Sequence, residues 1–144
     1  MALQGEYGRS PSEWAAKQAE GYEASGGRTH NTMNGKPVVI LSTRGRQSGK
    51  VRKSPLMRVE HSGEYAVVAS QGGAPTHPQW YLNLAAHPNV EIVLDGRRRA
   101  MRTRTASPQE KAELWPAIVA AYAGYAAYQG RTDRDIPVVI CEPR

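Results

Sequence analysis

The sequence contains one cysteine, Cys141, and no phenylalanine among its 144 residues. A single cysteine cannot form a disulfide within the chain, so we expect a protein of a reducing compartment that is stabilised by its core alone. The four histidines are scattered without the spacing of a zinc motif, and we therefore expect no metal site. They are His30, His61, His77 and His87.

Long hydrophobic runs are also missing. No apolar segment approaches the roughly 20 residues that cross a bilayer, and residues 1–14 lack the charged start and apolar run of a signal peptide. Neither a Walker loop nor a Rossmann glycine fingerprint occurs, which argues against a P-loop and against direct nicotinamide binding. We expect a cytoplasmic protein that attaches, at most, peripherally to the inner face of the plasma membrane.

Positive charge is in excess, with a formal net charge of +6. This balance favours an anionic partner: nucleic acid, an anionic membrane surface or an acidic cofactor. Arg98, Arg102 and Arg104 fall on one side of a predicted strand, and Met101 and Thr103 fall on the other, as in a solvated sheet face. Nucleic acid is therefore the less favoured partner, whereas an anionic membrane stays open.

The first predicted helix begins with Ser10 as cap, Pro11 in the first helical position and Glu13 completing a capping box. Gly26-Gly27 is expected to end it. The polar, glycine-rich segment 23–36 is interpreted as a mobile connection.

Six short runs with the alternation and β-branched content of strands follow the first helix. Turns such as His61-Ser62-Gly63 and Asp95-Gly96 predict consecutive antiparallel pairing. Short antiparallel strands with few helices indicate a small closed or nearly closed barrel. The runs are 37–43, 51–59, 64–70, 89–95, 98–106 and 136–141.

Two further helices interrupt the strands. The shorter, over 77–86, is expected to start at a Thr76 and Gln79 capping box, and Pro88 forbids its continuation. The longer is expected to run without interruption from a Ser107 cap to Gly130, with Pro108 and Glu110 as start signals.

Three tyrosines of the longer helix recur at every third position, so a continuous helix places them on one face over about a 120° arc. Such a stripe is usually core. However, the alanines and Gly124 between the rings favour a cavity wall. The tyrosines are Tyr122, Tyr125 and Tyr128.

The segment Thr43–Leu56 is a hairpin in which glycines alternate with arginine, lysine and serine. Glycines let backbone amides converge on an anion, and arginine supplies forked donors. The segment therefore predicts a site for phosphate or carboxylate, with a solvated basic turn as the alternative.

A second loop, Ala69–Pro75, carries Gly72-Gly73 at the end of a strand and leads directly into a helix. Its backbone amides are suited to the polar edge of a ligand, and Trp80 with Tyr81 could form a wall for a flat ring. A plain strand-to-helix connection is the alternative.

These segments, in this order and spacing, resemble the deazaflavin (F420)-dependent nitroreductase family. The quoted runs are GRQSGKVRKSPL, YAVVASQGGAPTHPQWYLNLAAHP and LWPAIVAAYAGYAAYQGRTDRDIPVVICEP, and the match covers about residues 35–143. The resemblance implies an α+β, mainly β fold: a split β-barrel, FMN-binding-like, of about six antiparallel strands with flanking helices. Residues 1–34 would form the N-terminal helix and flexible connection, and residues 35–144 the deazaflavin-binding domain.

The resemblance also implies the cofactor, coenzyme F420, whose phospholactyl and polyglutamate tail explains a basic hairpin. Its reduced form would pass a hydride to a quinone or nitroaromatic acceptor. A tyrosine hydroxyl could protonate the reduced acceptor.

By position, nine residues would hold the phosphate and side chain of the cofactor, and nine would line its ring. The first set is Arg46, Gln47, Ser48, Arg52, Lys53, Ser54, Pro55, Leu56 and Met57. The second set is Val68, Ala69, Ser70, Gln71, Gln79, Trp80, Tyr81, Leu82 and Asn83. Tyr125 would cover the site, while Tyr122, Tyr128 and Met57 would contact the acceptor. The family often has lysine at the position of Gln71, which puts the cofactor affinity of this chain in question.

Other readings keep the same fold. An FMN- or haem-binding split barrel and a non-catalytic deazaflavin carrier are the alternatives. This chain provides the whole predicted groove itself, so we expect a monomer or weak homodimer.

Overall fold

The computed structural model describes Leu3 and residues 5–144. Eight strands and four α-helices follow one another along the chain, with a 3-10 turn at Gln71–Gly73. The helices are α1 (Glu13–Ala24), α2 (Gln79–Ala86), α3 (Pro108–Ala121) and α4 (Gly124–Gly130). The strands are β1 (Thr32–Met33), β2 (Lys36–Arg44), β3 (Val51–Met57), β4 (Val59–His61), β5 (Glu64–Val68), β6 (Asn89–Leu94), β7 (Arg97–Thr105) and β8 (Val138–Pro143).

All strands pair antiparallel in one curled sheet of order β1-β2-β6-β7-β8-β5-β4, and β3 pairs with β2. Among the described strands, β3 has β2 as its only sheet partner, apart from a short bridge between Tyr7 and Val51. The sheet therefore stays open beside β3. This confirms the predicted α+β, mainly β split barrel with flanking helices.

The expected count of about six strands is wrong. The run 51–59 contains two strands. Its last hydrogen bond to β2 is from Arg58 N to Pro37 O at 3.0 Å, and the residues that follow pair with β5. The extra strand β1 lies inside segment 23–36.

Segment 23–36 is held by specific hydrogen bonds. Its end pairs with β2, and the amide of Gln18 donates to the carbonyl oxygens of His30 and Thr32. The division after residue 34 falls between the paired strands β1 and β2, and it stays a prediction.

Alternation along the strands separates three apolar clusters. The barrel interior contains Val39, Leu41, Val67, Ile92 and Val139, closed by Trp80 and Leu84 of α2. On the other sheet face, α1 packs Ala19 and Tyr22 against Val38, Ile40 and Val93. Helices α3 and α4 cover Met57, Ala66, Val68 and Ile140. Residues of opposite parity thus face different helices.

Two predicted helix starts are wrong. Helix α1 is capped by Ser12, whose Oγ accepts from Ala15 N at 3.3 Å, while Ser10 Oγ accepts from Ser12 N. At α2 the residue before the helix is Pro78, which has no side-chain cap. Thr76 instead accepts a hydrogen bond from Gln71 at 3.1 Å.

The start of α3 is confirmed. Ser107 Oγ accepts from Glu110 N at 3.2 Å, and the Glu110 carboxylate accepts from Ser107 N at 3.0 Å. Arg104 also donates to this carboxylate, and these bonds lower the pKa of Glu110 to about 2, with Arg104 the largest cause.

The uninterrupted helix to Gly130 is wrong. Helix α3 ends at Ala121, Tyr122 is extended at φ −157° and ψ 111°, and α4 begins at Gly124. A Cβ at Gly124 would overlap the Tyr122 ring, so glycine there lets the ring fold back onto α4. No helix of the described residues is long and apolar enough to cross a membrane.

Candidate active site

The hairpin between β2 and β3 is closed by its own backbone. Gly45 N donates to Lys50 O at 2.7 Å, and Gly49 N donates to Gly45 O at 2.9 Å. Ser48 Oγ accepts from Lys50 N at 3.1 Å. Gly49, at φ +72°, occupies the left-handed region that glycine enters without strain. The turn is therefore a defined structure.

Asn83 of α2 ties this hairpin to the barrel. Its side chain is buried, Oδ1 accepts from Arg46 N at 3.1 Å, and Nδ2 donates to Thr43 Oγ1 at 3.3 Å. Both ends of the amide are thus used to position the turn. Asn83, predicted to line the cofactor ring, therefore also holds the hairpin turn in place.

A cavity of about 300 Å³, here called the hairpin cavity, lies between the hairpin, α2 and the N-terminal segment. It brings together nine of the predicted cofactor residues, namely Arg46, Gln47, Ser48, Arg52, Lys53, Ser54, Gln79, Trp80 and Asn83. It also contains Gly8, Ser10, Pro11 and Gly45. The first three were missed because their proximity depends on a bridge between Tyr7 and Val51, distant in sequence.

The two neighbouring cations of β3 have different surroundings. Arg52 Nη1 donates to the carbonyl oxygen of Arg9 at 3.4 Å. Lys53 Nζ forms an ion pair with Glu23 at 2.5 Å and lies 5.0 Å from the centroid of the Tyr7 ring. Lys53 therefore already has a carboxylate partner, and no sequence pattern predicts this pairing.

The turn after β5, residues 70–73, is here called the glycine turn. Gly72 and Gly73 have φ of +64° and +80°, and Gln71 has φ of +44°. A Cβ at Gly73 would lie 2.7 Å from Tyr128 O. The glycine turn therefore packs directly against the backbone of α4.

Tyr122, Tyr125 and Tyr128 form one group of rings, here called the tyrosine cluster. Ring centroids are 5.3 Å apart for Tyr122 and Tyr125 and 6.2 Å apart for Tyr125 and Tyr128, both near perpendicular. The hydroxyls of Tyr122 and Tyr128 lie 3.2 Å apart. The rings meet across the break between α3 and α4, so their predicted placement on one helix face is wrong although they do converge.

The tyrosine cluster packs in one apolar group with Met57 and Val68. Tyr125 is buried, whereas Tyr122 and Tyr128 are half-buried. Burial, followed by its two tyrosine neighbours, raises the pKa of Tyr125. The hydrogen bond with Tyr122 is the main cause that raises the pKa of Tyr128. Both hydroxyls therefore stay protonated at neutral pH.

Trp80 and Tyr81 do not form one wall. Their rings are nearly perpendicular, at 82°, and the Tyr81 hydroxyl lies 2.9 Å from Thr105 Oγ1. Tyr81 instead lines a second cavity of about 250 Å³, here called the lateral cavity, with His77 and Lys111. Of these two rings, only that of Trp80 lines the hairpin cavity.

The remaining predicted cofactor residues line neither the hairpin cavity nor the lateral cavity. Pro55, Met57, Val68, Ala69 and Ser70 are buried, Leu56 and Leu82 are half-buried, and Gln71 is exposed. Leu56 packs against the barrel interior.

The family model of the F420H(2)-dependent quinone reductases matches residues 14–143. The chain is 42% identical over 108 residues to the protein Rv3178 of Mycobacterium tuberculosis, which covers 75% of this chain and 91% of Rv3178. It is 35% identical over 127 residues to F420H(2)-dependent quinone reductase Rv1261c of the same organism, covering 85% of each chain.

Solved structures share the fold. The F420-H2 dependent reductase FDR-A is 46% identical, with a TM-score of 0.69 over 74% of this chain and 94% of FDR-A. A chain described as a domain-swapped dimer is 41% identical, with a TM-score of 0.71 over 92% of this chain and 100% of that one. The haem storage protein HutZ of Vibrio cholerae, at 15% identity and a TM-score of 0.55 over 74% of this chain and 81% of HutZ, shows a common fold alone.

Proposed function

The chain belongs to the F420H(2)-dependent quinone reductase family, and we propose that it binds coenzyme F420 between the hairpin cavity and the tyrosine cluster and reduces a quinone. It is therefore an oxidoreductase. The observation that carries the proposal is a cationic cavity built from residues 45–54 and α2, in the same open-sided barrel as the tyrosine cluster.

The donors of the hairpin cavity fit the acidic tail of this cofactor. Arg46 and Arg52 contribute guanidinium groups, and Gln47 and Ser48 add uncharged polar groups. Forked donors and small polar groups are the partners that phosphate and carboxylate oxygens prefer. A Cβ at Gly8 would lie 2.8 Å from the Arg52 guanidinium, so glycine leaves this group the space that it occupies.

The ring of the cofactor is assigned to the glycine turn and the half-buried Tyr122 and Tyr128, whose rings pack with the buried side chains of Met57, Val68 and Tyr125. When bound, reduced F420 supplies a hydride. Apolar side chains exclude water from the transfer, and the rigid barrel holds the two reactants in one orientation. The half-buried hydroxyls of Tyr122 and Tyr128 hold protons that the reduced acceptor needs, while buried Tyr125 serves as a stacking surface.

The binding step is tested by fluorescence titration of the purified protein with F420 and, separately, with FMN. We expect saturable binding of F420 and none of FMN at the same concentrations. Tight binding of FMN or haem instead of F420 would favour the other split-barrel functions. Binding of F420 without oxidation by either a quinone or a nitroaromatic compound would indicate a carrier.

Location and assembly belong to the same proposal. We place the protein in the cytoplasm, where its net charge of +6 and the exposed Trp14 favour contact with an anionic membrane that holds quinones. Sedimentation with anionic but not neutral phospholipid vesicles would support this. We propose a monomer or weak homodimer, and light scattering distinguishes them.

A further inference from the structure

Arg134, in the loop between α4 and β8, directs its whole guanidinium group at one segment of the chain. Its Nη1 donates to Ala69 O at 3.0 Å, its Nη2 to Ser70 O at 2.8 Å, and its Nε to Ala74 O at 3.1 Å. Nη1 also lies 2.8 Å from His77 Nδ1. One side chain therefore holds four acceptors within residues 69–77, here called the clamped segment.

The planar fork of arginine is required for this arrangement. Arginine offers five N–H donors in fixed directions, whereas lysine offers a single ammonium centre. Because the guanidinium can only donate, His77 Nδ1 must accept, which places the proton of the neutral imidazole on Nε2. The contact thus fixes the tautomer of His77 as well as its position.

The clamped segment needs such support because its backbone is unfavourable by itself. Gln71 has a φ of +44°, which a residue with a side chain rarely adopts. The segment contributes two internal turn bonds, from Gly73 N to Ser70 O and from Ala74 N to Gln71 O. Arg134 adds bonds on both flanks of this turn and reaches His77, two residues before α2 begins.

We propose that Arg134 is a positioning residue for the deazaflavin ring: it holds the glycine turn and the start of α2 in the conformation that receives the ring. The inference rests on the proposed function. Arg134 binds no part of the cofactor tail, because its partners belong to the clamped segment, and it acts on the cofactor only through that segment. It therefore differs from Arg46 and Arg52, which line the hairpin cavity and are assigned to the tail.

The first test uses the ligand-free protein. Hydrogen exchange measured by mass spectrometry is compared for the wild type, Arg134→Ala, Arg134→Lys and the control Arg102→Ala, which removes an exposed arginine of β7. We expect exchange of peptides covering residues 69–77 to accelerate about tenfold or more in Arg134→Ala and less in Arg134→Lys. Peptides covering residues 44–51 should be unchanged. Equal acceleration everywhere, or none at residues 69–77, would overturn the proposal.

The second test separates the ring from the tail. Dissociation constants are measured for F420 and for the deazaflavin nucleoside that lacks the phosphate tail. Arg134→Ala should raise both constants by the same factor, about tenfold or more, whereas Arg46→Ala should raise only that of F420. If Arg134→Ala does not fold, Arg134→Lys shows the same pattern with smaller factors. Unaltered binding by a folded Arg134 variant refutes the positioning role, whereas a wild-type protein that binds neither ligand refutes the proposed function itself.

Discussion

Arg52 and Lys53 are neighbours in β3, but they differ in the charge that is available to a ligand. Lys53 pairs with Glu23, while Arg52 donates to a neutral carbonyl oxygen. A ligand anion must compete with Glu23 for Lys53, whereas no carboxylate of the described residues forms an ion pair with Arg52. Adjacent cations of one hairpin are therefore expected to contribute unequally.

We predict that Arg52→Ala raises the dissociation constant of F420 more than Lys53→Ala does. A charge-assisted contact contributes about 1.5–3 kcal/mol, so the Arg52 variant should lose about tenfold or more in affinity. Titrations at low and high salt check this, with Arg102→Ala as the control for net charge. Equal affinities for all three variants would indicate that the hairpin is only a solvated turn.

The three tyrosines differ in burial, and we therefore assign them two different roles. We predict that Tyr125→Phe leaves turnover nearly normal. Tyr125 is buried and the pKa of its hydroxyl is raised, so we expect its ring to stack and its hydroxyl to donate no proton. Tyr128→Phe removes a half-buried hydroxyl and should slow turnover if that hydroxyl is the proton donor, by about 10²-fold. Steady-state kinetics with a quinone, together with the melting temperature of each variant, test both statements. A rate loss confined to Tyr125→Phe would reverse the assignment.

At the scale of the element, the break between α3 and α4 gives the tyrosine cluster its shape. Tyr122 has an extended backbone conformation between the two helices. Its ring occupies the space that a side chain at position 124 would fill. A glycine at the other end of α4, Gly130, has open space around the position of a Cβ. The two glycines therefore form a matched pair.

We predict that Gly124→Ala displaces the Tyr122 ring and changes kcat or acceptor preference, while the melting temperature changes little because the ring tip can move. Gly130→Ala should keep kinetics normal and stabilise the helix by up to about 1 kcal/mol. Kinetics and thermal melts of the two variants provide the comparison. Identical kinetics for both would mean that the Tyr122 ring lies outside the acceptor site.

The clamped segment should respond to pH through His77. Burial, and then Arg134, lower the pKa of His77 below its ordinary value of about 6.5. The folded protein therefore resists a proton that the unfolded chain accepts, so the free energy of unfolding falls as pH drops below about 6.5 towards the lowered pKa. Arg134 faces the imidazole directly, and Lys111 and Asp135 share the lateral cavity with it.

We predict that residues 69–77 exchange hydrogen faster, relative to the intrinsic rate, at about pH 5 than at about pH 7. In His77→Asn, an amide oxygen can accept from Arg134 without titrating, and this difference should disappear. A wild-type segment whose protection does not depend on pH would show that His77 does not titrate in this range.

At the scale of the whole molecule, the parts that were predictable are those encoded locally. The α3 capping box lies within four residues, and the alternation of β7 predicts its solvated and buried faces. The open side of the barrel was predicted from the family resemblance. The predicted number of strands was too low because a run that is continuous in sequence changes its pairing partner at Arg58.

The missed features depend on contacts between distant residues. The end of α3 depends on how the Tyr122 ring meets Gly124, and the ion pair of Lys53 depends on Glu23, 30 residues earlier. Arg134 reaches carbonyl oxygens up to 65 residues away. Backbone carbonyls leave no signature in side-chain composition, so no motif could have revealed the clamp.

The reaction assigned to this protein is hydride transfer from reduced F420 to a quinone. The most direct measurement follows the oxidation of reduced F420 by menadione under anaerobic conditions, with and without the protein, and repeats it with NADPH as the direct donor. We expect protein-dependent oxidation of reduced F420 and negligible oxidation of NADPH, because no Rossmann fingerprint is present to hold a nicotinamide dinucleotide. Robust NADPH-driven reduction of menadione without F420, or no acceleration with reduced F420, would show that the protein does not catalyse this reaction.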